Sequence, residues 1–288
     1  MFLYFWKRLL HKKNFYLALL AGAMLSMLYI AKDVYPYRAL KYGHSVYTIW
    51  MGGFNGSIYA SLFYLLVPLL AAIPMADTWL SDRQSGYYQF VQTRNKTKQY
   101  FRGLYVCNFT AGGLVTIFPL AINLYACFLL VPDEKPDLIL WDTHTVSLYG
   151  KETLFPSVFY DYPFLHICLF LFFAFCIGGL LAGVALAFSG LLKNIFMVWV
   201  SVFVLNYLYE SLVGIVCKNG AATYYPLTYA HQVAPLGEME LSVMVTLMIL
   251  LLGITIIGMC WGALRVVLDY SDRGMTECKH DVSFSNRS

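Results

Sequence analysis

The chain has 288 residues, of which 59% are hydrophobic and 12% are charged, and its formal net charge is +4. Soluble domains carry about 25% charged residues, so this chain has roughly half of the charge that usually keeps a protein in water. This composition excludes a disordered protein, a nucleic-acid-binding protein and an ordinary water-soluble enzyme. We expect a membrane protein whose positive charges face lipid headgroups.

The first predicted element is an amphipathic helix over residues 1–13. One face carries apolar side chains and the other carries mainly basic ones: Phe2, Phe5, Trp6, Leu9 and Leu10 against Lys7, Arg8, His11 and Lys12. Such a helix lies in the inner headgroup region of a membrane. The alternative is a basic flanking segment that only sets the orientation of the first span.

Six long apolar stretches then predict membrane-spanning helices, since about 20 residues cross the roughly 30 Å hydrocarbon layer. They cover approximately residues 14–31, 57–76, 104–131, 163–188, 195–216 and 241–264. The runs are continuous, whereas a membrane β-barrel shows short alternating segments. The predicted fold class is an all-α polytopic membrane protein with one transmembrane domain over residues 1–288. No small-residue cleavage site follows the first run, so we expect it to remain in the mature protein.

The distribution of Lys and Arg predicts the orientation of these spans. With six spans both termini share a side, and fourteen of the 20 basic residues lie there. Cytoplasmic loops carry the excess of positive charge. We therefore expect a multi-pass protein of the plasma membrane, with both the N terminus and the tail at 265–288 in the cytoplasm.

Motifs for nucleotide or metal chemistry do not occur in the chain. The string nearest to a phosphate-binding GxxxxGK[ST] loop, at residues 149–153, lacks the leading glycine and has Glu152 after the lysine. The seven cysteines and six histidines do not have the spacing of metal ligands. We expect no catalytic residue, no metal site and no cofactor bound by this chain, and no nucleic-acid partner.

The loop at residues 77–103, between the second and third spans, contains five basic and two acidic residues. It also contains a cluster of apolar side chains that includes Tyr87, Tyr88 and Phe90. A solvated linker does not need those aromatics, whereas a short amphipathic helix that is presented to another protein does.

This loop resembles the one in permease subunits of ATP-binding-cassette (ABC) type-2 transporters. The residues that carry the resemblance are Asp82, Arg83, Gly86, Phe90, Thr93, Arg94 and Tyr100. Asp82 stands where Glu is more usual in that family, and Asn95 stands where Pro is frequent. The resemblance implies that the loop forms a coupling helix that docks on a cytoplasmic ABC ATPase.

A second string, at residues 225–229, is similar to the family's outer loop between spans five and six. It reads Tyr-Pro-Leu-Thr-Tyr. The resemblance implies a re-entrant segment that dips back into the outer leaflet, and Pro226 excludes a simple helix through it.

Taken over the whole chain, the resemblance implies a bacterial ABC exporter. Two six-span permease subunits, identical or related, would form a pathway with alternating access, while the partner ATPase subunits would bind ATP and Mg²⁺. The substrate would be a hydrophobic or amphipathic peptide, lipid or drug. Two other classes stay open: an ion-coupled carrier that works alone, and a membrane-embedded enzyme.

Polar residues inside the predicted spans are candidates for the translocation pathway, because ionisable groups in hydrocarbon cost about 2.5–3.5 kcal/mol on insertion scales. Glu210 is the only acidic residue within a predicted span, and Asn206 precedes it by one helical turn. The alternative is that the fifth span ends early and Glu210 lies at the outer interface. Asn123, in the third span, is either in the pathway or bonded to another helix.

Overall fold

The computed structural model describes residues 1–39, 45–53, 56–94, 97–136, 152–218, 220–234 and 238–262. Regular structure in these ranges is helical, and none of these residues lies in a β-strand. The α-helices are α1 (Phe2–His11), α2 (Lys13–Tyr29), α3 (Val46–Ile49), α4 (Ile58–Ala72), α5 (Thr78–Gln84), α6 (Tyr87–Arg94), α7 (Thr97–Leu130), α8 (Pro156–Asp161), α9 (Pro163–Phe188), α10 (Ile195–Val216) and α11 (Leu241–Gly262).

In the part of the chain that the structure describes, five helical segments are long and apolar enough to cross a membrane. They are Lys13–Val34, Lys98–Leu130, Pro163–Phe188, Ile195–Val216 and Leu241–Gly262. The chain is therefore a multi-pass membrane protein, and five of the six predicted spans coincide with these helices.

The remaining predicted span, at residues 57–76, contains the shorter helix α4. This helix has 15 residues, which corresponds to a length of about 22 Å. The N–H of Ile73 still bonds to the carbonyl of Leu69, but Pro74 has no N–H with which to extend the helix. The chain then turns through residues 73–77 before α5 begins.

The boundaries of α1 and α7 differ from the predicted ones. The predicted helix over 1–13 ends at His11, because Lys12 adopts an extended conformation and separates α1 from α2. The third span was expected to begin near 104, but α7 begins at Thr97. Its 33-residue apolar segment is about 50 Å long, so its first turns extend beyond a hydrocarbon layer of about 30 Å.

Small residues bring α7 and α9 into direct backbone contact at the centre of the bundle. A Cβ atom at Gly112 would lie 2.5 Å from Cβ of Ala182 and 2.9 Å from the carbonyl oxygen of Gly178. The Nδ2 of Asn108 donates to the carbonyl of Ala182 over 2.7 Å. Close approach of this kind, supported by a hydrogen bond between helices, is how membrane helices associate without a hydrophobic driving force.

A similar contact joins α2 to α7. A Cβ at Gly22 would lie 2.5 Å from Cγ of Pro119. The carbonyl of Pro119 accepts a hydrogen bond of 2.9 Å from the hydroxyl of Ser26, one helical turn further along α2. The proline within α7 thus lies against the glycine of its neighbour.

Burial shows which helices form the centre of the bundle. In the most apolar part of α9, 61% of the residues are buried, whereas the values are 11% for α10 and 17% for α11. Helix α9 is therefore the central helix. The other two leave most of their apolar surface uncovered in the isolated chain.

The predicted re-entrant string at 225–229 folds into the bundle. Two short 3₁₀ turns, Ala221–Tyr224 and Pro226–Ala230, follow α10, and the second turn is buried along its length. The hydroxyl of Tyr229 donates to the carbonyl of Thr223 over 2.8 Å, which ties the two turns together. The predicted tail at 265–288 and the last two residues of the predicted sixth span lie outside the described residues.

Replacement of Gly112 by alanine should destabilise the bundle by about 1–3 kcal/mol, because the added methyl group cannot fit between α7 and α9 without moving a backbone. Thermal unfolding of the detergent-solubilised protein measures this effect. Gly253→Ala is the matched control, since a Cβ there meets no atom within 4 Å. Equal melting temperatures for the two variants would contradict the helix contact.

Candidate functional site

At the N-terminal end of the bundle, a buried carboxylate joins three helices. The side chain of Asp82 on α5 is 2% exposed and forms a salt bridge of 2.7 Å with Arg8 on α1. A second Arg8 nitrogen donates to the other carboxylate oxygen over 2.9 Å, and the Tyr100 hydroxyl of α7 donates to that same oxygen over 2.6 Å. Burial disfavours the charged guanidinium, but the carboxylate outweighs this effect and raises the pKa of Arg8.

A second ion pair lies beside the first. The Lys12 ammonium is 2.8 Å from a carboxylate oxygen of Asp77, whose side chain is 7% exposed. The same ammonium donates to the Thr78 hydroxyl over 3.0 Å. Arg8 and Lys12 therefore fix both ends of α5 against the N-terminal segment. We call this pair of contacts the α5 clamp.

Helix α5 is also bound to the loop that follows α9. The guanidinium of Arg83 donates to the carbonyl of Gly190 over 3.1 Å, and the amide of Gln84 donates to the carbonyl of Lys193 over 2.8 Å. The short helix is therefore attached to the segments on both sides of it.

Aromatic rings fill the space between α5, α6 and α7. Trp79 is 4.6 Å from Tyr88 and 4.8 Å from Phe101, measured between ring centroids. Tyr88 is in turn 5.2 Å from Tyr100. Gly86, at the turn between α5 and α6, has a φ of +71°, a conformation that is strained for residues with a Cβ.

The opposite face of α6 is exposed where its side chains are described. Tyr88 and Val91 are 3% and 7% exposed, whereas the ring of Phe90 is 72% exposed. Helix α6 is thus anchored by one face while it presents the other outward. The side chains of Thr93 and Arg94 lie outside the described residues.

The predicted coupling residues thus occupy different positions. Asp82 and Tyr100 are bonded to each other in the interior, Arg83 binds the loop after α9, and Gly86 forms a turn. Among the predicted residues whose side chains are described, Phe90 is the most exposed.

A chain of neutral hydrogen bonds crosses the other end of the bundle. The indole N–H of Trp50 donates to Oε1 of Gln232. The amide of Gln232 lies 2.9 Å from Nδ1 of His166, and Nε2 of His166 lies 2.8 Å from the carbonyl of Leu154. These contacts are all satisfied when Nε2 of His166 carries the proton, since Nδ1 then accepts and Nε2 donates.

The same series of hydrogen bonds attaches two connecting segments to the bundle. The backbone N–H of Gln232 donates to the carbonyl of Gly52, and the hydroxyl of Thr153 donates to the carbonyl of Gln232. The buried polar groups are thus used to connect segments. Among the residues that the structure describes, no three His, Cys, Asp or Glu side chains are placed to hold a metal ion.

A cavity of about 210 Å³ lies between α4, α10 and the second 3₁₀ turn. Its lining is mostly aromatic and apolar, with a few polar groups: Ser61, Tyr64, Leu65, Phe203, Asn206, Tyr207, Glu210, Tyr225, Leu227, Thr228 and His231. The structure therefore brings the two α10 residues predicted for the pathway, Asn206 and Glu210, to one concave surface.

Two side chains give this cavity its electrostatic character. The carboxylate of Glu210 accepts a hydrogen bond of 2.9 Å from the amide of Asn206. The ring of His231 is stacked on Tyr64 with 3.5 Å between centroids, and burial lowers the pKa of His231 to about 3. His231 is therefore neutral near pH 7, and the formal charge of the lining residues comes from Glu210.

Asn123, the third residue predicted for the pathway, does not line this cavity. It is fully buried on α7, and its Oδ1 accepts a hydrogen bond of 2.7 Å from the backbone N–H of Met51. The side chain thus holds the segment after α3 in place.

Comparison with known proteins does not identify a family. No protein-family model matches the chain, and no curated protein or solved structure matches it significantly. Any functional conclusion therefore depends on the sequence pattern and on the geometry described above.

Several residues of these sites were not predicted from the sequence. Arg8 and Lys12 were assigned to a lipid-facing basic surface, but each binds a buried aspartate. A usable signal was the presence of two acidic residues in an otherwise basic loop. For Tyr64 and His231 the sequence contains no such signal, because they line the same cavity as Glu210 but belong to distant segments of the chain.

Replacement of Arg8 by glutamine should destabilise the protein by about 1–3 kcal/mol, because the buried Asp82 carboxylate loses a charged partner. Thermal melting measures the loss, and limited proteolysis tests whether α1 is released. Lys7→Gln removes the same charge from an exposed position of α1 and should leave both results unchanged. A similar effect of the two substitutions would contradict the clamp.

Replacement of Gln232 by leucine should also be destabilising, because the indole of Trp50 and Nδ1 of His166 both lose their partner. Each buried group without a partner costs about 1–3 kcal/mol. The melting temperature measures this cost, and Gln89→Leu, at an exposed position of α6, is the control. A stable Gln232→Leu protein would show that the hydrogen-bond chain is not needed for the fold.

Proposed function

We propose that the chain is the membrane subunit of an ATP-driven exporter of the ABC type. In this proposal α4 is a short second span, which gives six spans with both termini in the cytoplasm. The excess of Lys and Arg on the side of α1, α5 and α6 supports this orientation. The five long apolar helices support a pathway within the membrane.

The main support for the proposal is the way in which α6 is attached to the bundle. A short helix, α6, presents an exposed Phe90 while its other face is anchored to the bundle. Aromatic side chains, Phe among them, are enriched at protein–protein interfaces. A partner ATPase that binds α6 would thus be coupled directly to the membrane helices.

Movement of α6 would reach the spans through α5. Because α5 is bound to Arg8, Lys12 and the loop after α9, a force on α6 displaces the N-terminal segment, α7 and α9 together. The chain itself contributes this connection, whereas ATP and Mg²⁺ would be bound by the partner. Rigid displacement of packed helices is a common form of alternating access.

A second permease subunit, identical or related, would complete the pathway. Helices α10 and α11 leave most of their apolar surface uncovered in the single chain, and this surface is available to such a subunit and to lipid. The aromatic and apolar lining of the cavity beside α10 supports a hydrophobic or amphipathic substrate.

An ion-coupled carrier is the second candidate, and Glu210 favours it. A carboxylate within an apolar helix that lines a cavity is typical of proton- and ion-coupled transport. Transport by the purified chain in liposomes, driven by an ion gradient without ATP, distinguishes this function from that of an ABC subunit.

Replacement of Phe90 by glutamate should reduce binding of the partner ATPase by about tenfold or more, because an exposed hydrophobic anchor is replaced by a charge. Co-purification with an ABC ATPase from the same organism measures the loss. Melting of the variant should stay at the wild-type temperature, since the ring is 72% exposed.

Tyr162→Glu is the matched control, because Tyr162 is 67% exposed at the opposite end of the bundle. This variant should retain the ATPase. If the wild-type chain brings down no ATPase, or if both variants retain it equally, the docking role of α6 is wrong.

A further inference from the structure

The cavity beside α10 contains a carboxylate with no cationic partner in the described part of the chain. The salt bridges between described residues are Arg8–Asp82 and Lys12–Asp77, and both lie where α1 meets α5. Glu210 is held instead by the neutral amide of Asn206. Because a carboxylate in an apolar helix is costly without a partner, the site is suited to a positive group from a ligand.

A buried polar group in the same lining is also without a partner. His231 is 7% exposed, and its Nδ1 atom is buried without a hydrogen bond. Since the ring is neutral near pH 7, it adds no positive charge that would repel a cation.

Aromatic rings complete the surroundings. The lining includes Phe203 and Tyr207 of α10 as well as Tyr64 and Tyr225. The faces of such rings attract ammonium groups through the ring quadrupole, most strongly where water is excluded. A carboxylate, a neutral imidazole and several aromatic rings at one cavity form a set that favours an organic cation over an anion or a neutral polar molecule.

We propose that this cavity binds the ammonium group of a cationic amphipathic substrate. The volume of about 210 Å³ accommodates one headgroup or one basic side chain, so the apolar remainder of the substrate lies outside the cavity. This inference rests on the proposed function, since it names the class of substrate that the exporter carries. It assigns Glu210 the role of counter-ion.

The test measures binding to the full chain in lipid nanodiscs, without any ATPase, by ligand-observed NMR with empty nanodiscs subtracted. The probes are benzylammonium and benzyl alcohol, which have nearly the same size but differ in charge. We expect the wild-type protein to bind the cation about tenfold more tightly than the alcohol. Glu210→Gln should abolish this preference, whereas Glu134→Gln, at an exposed position outside the cavity, should preserve it.

Equal binding of the two probes by the wild-type chain overturns the inference, and so does an unchanged preference in a folded Glu210→Gln protein. If that variant does not fold, Glu210→Asp keeps the charge and should keep the preference. A folded Glu210→Asp protein that binds the two probes equally counts against the site. If the wild-type chain prefers the cation but brings down no ATPase, the exporter proposal is wrong and the site is retained. If it brings down the ATPase but shows no preference for the cation, only the site is wrong.

Discussion

The Asp82 carboxylate is almost wholly buried, and hydrogen bonds from Arg8 and Tyr100 stabilise its charge. These two partners belong to α1 and α7, so one carboxylate joins three separate helices. A buried charge of this kind is strongly destabilising when a partner is removed. The position of α5, and with it the exposed face of α6, therefore depends on this interaction.

The centre of the bundle supplies the rigidity that such a contact needs. Helices α7 and α9 approach so closely at Gly112 and Gly178 that an added methyl group does not fit. Helix α9 then runs from His166, in the polar chain at one end, to the loop at Gly190 that binds Arg83 at the other. A displacement of α5 would thus move α9 as a body, since packed helices are not continuously deformable.

Much of the fold was predictable, because apolar length and helical periodicity are local properties of the sequence. Continuous apolar runs predicted the five long helices, and the amphipathic pattern predicted α1. The shortness of α4 was less evident, although Pro74 was a visible cause. Of the candidate site residues, Asn206 and Glu210 line one cavity, and Asp82 lies in the interior, while the coupling role expected of Asp82 stays a prediction.

The sequence by itself determined that the chain is a helical membrane protein, where its apolar helices lie, and which polar residues are costly in them. Only the tertiary structure decided how those polar residues are satisfied. Trp50 and Gln232 are separated by 182 positions, and Arg8 and Asp82 by 74. The cost of burying a polar group is a property of the residue. Its partner, however, depends on which helices pack together, and no local sequence pattern predicts that packing.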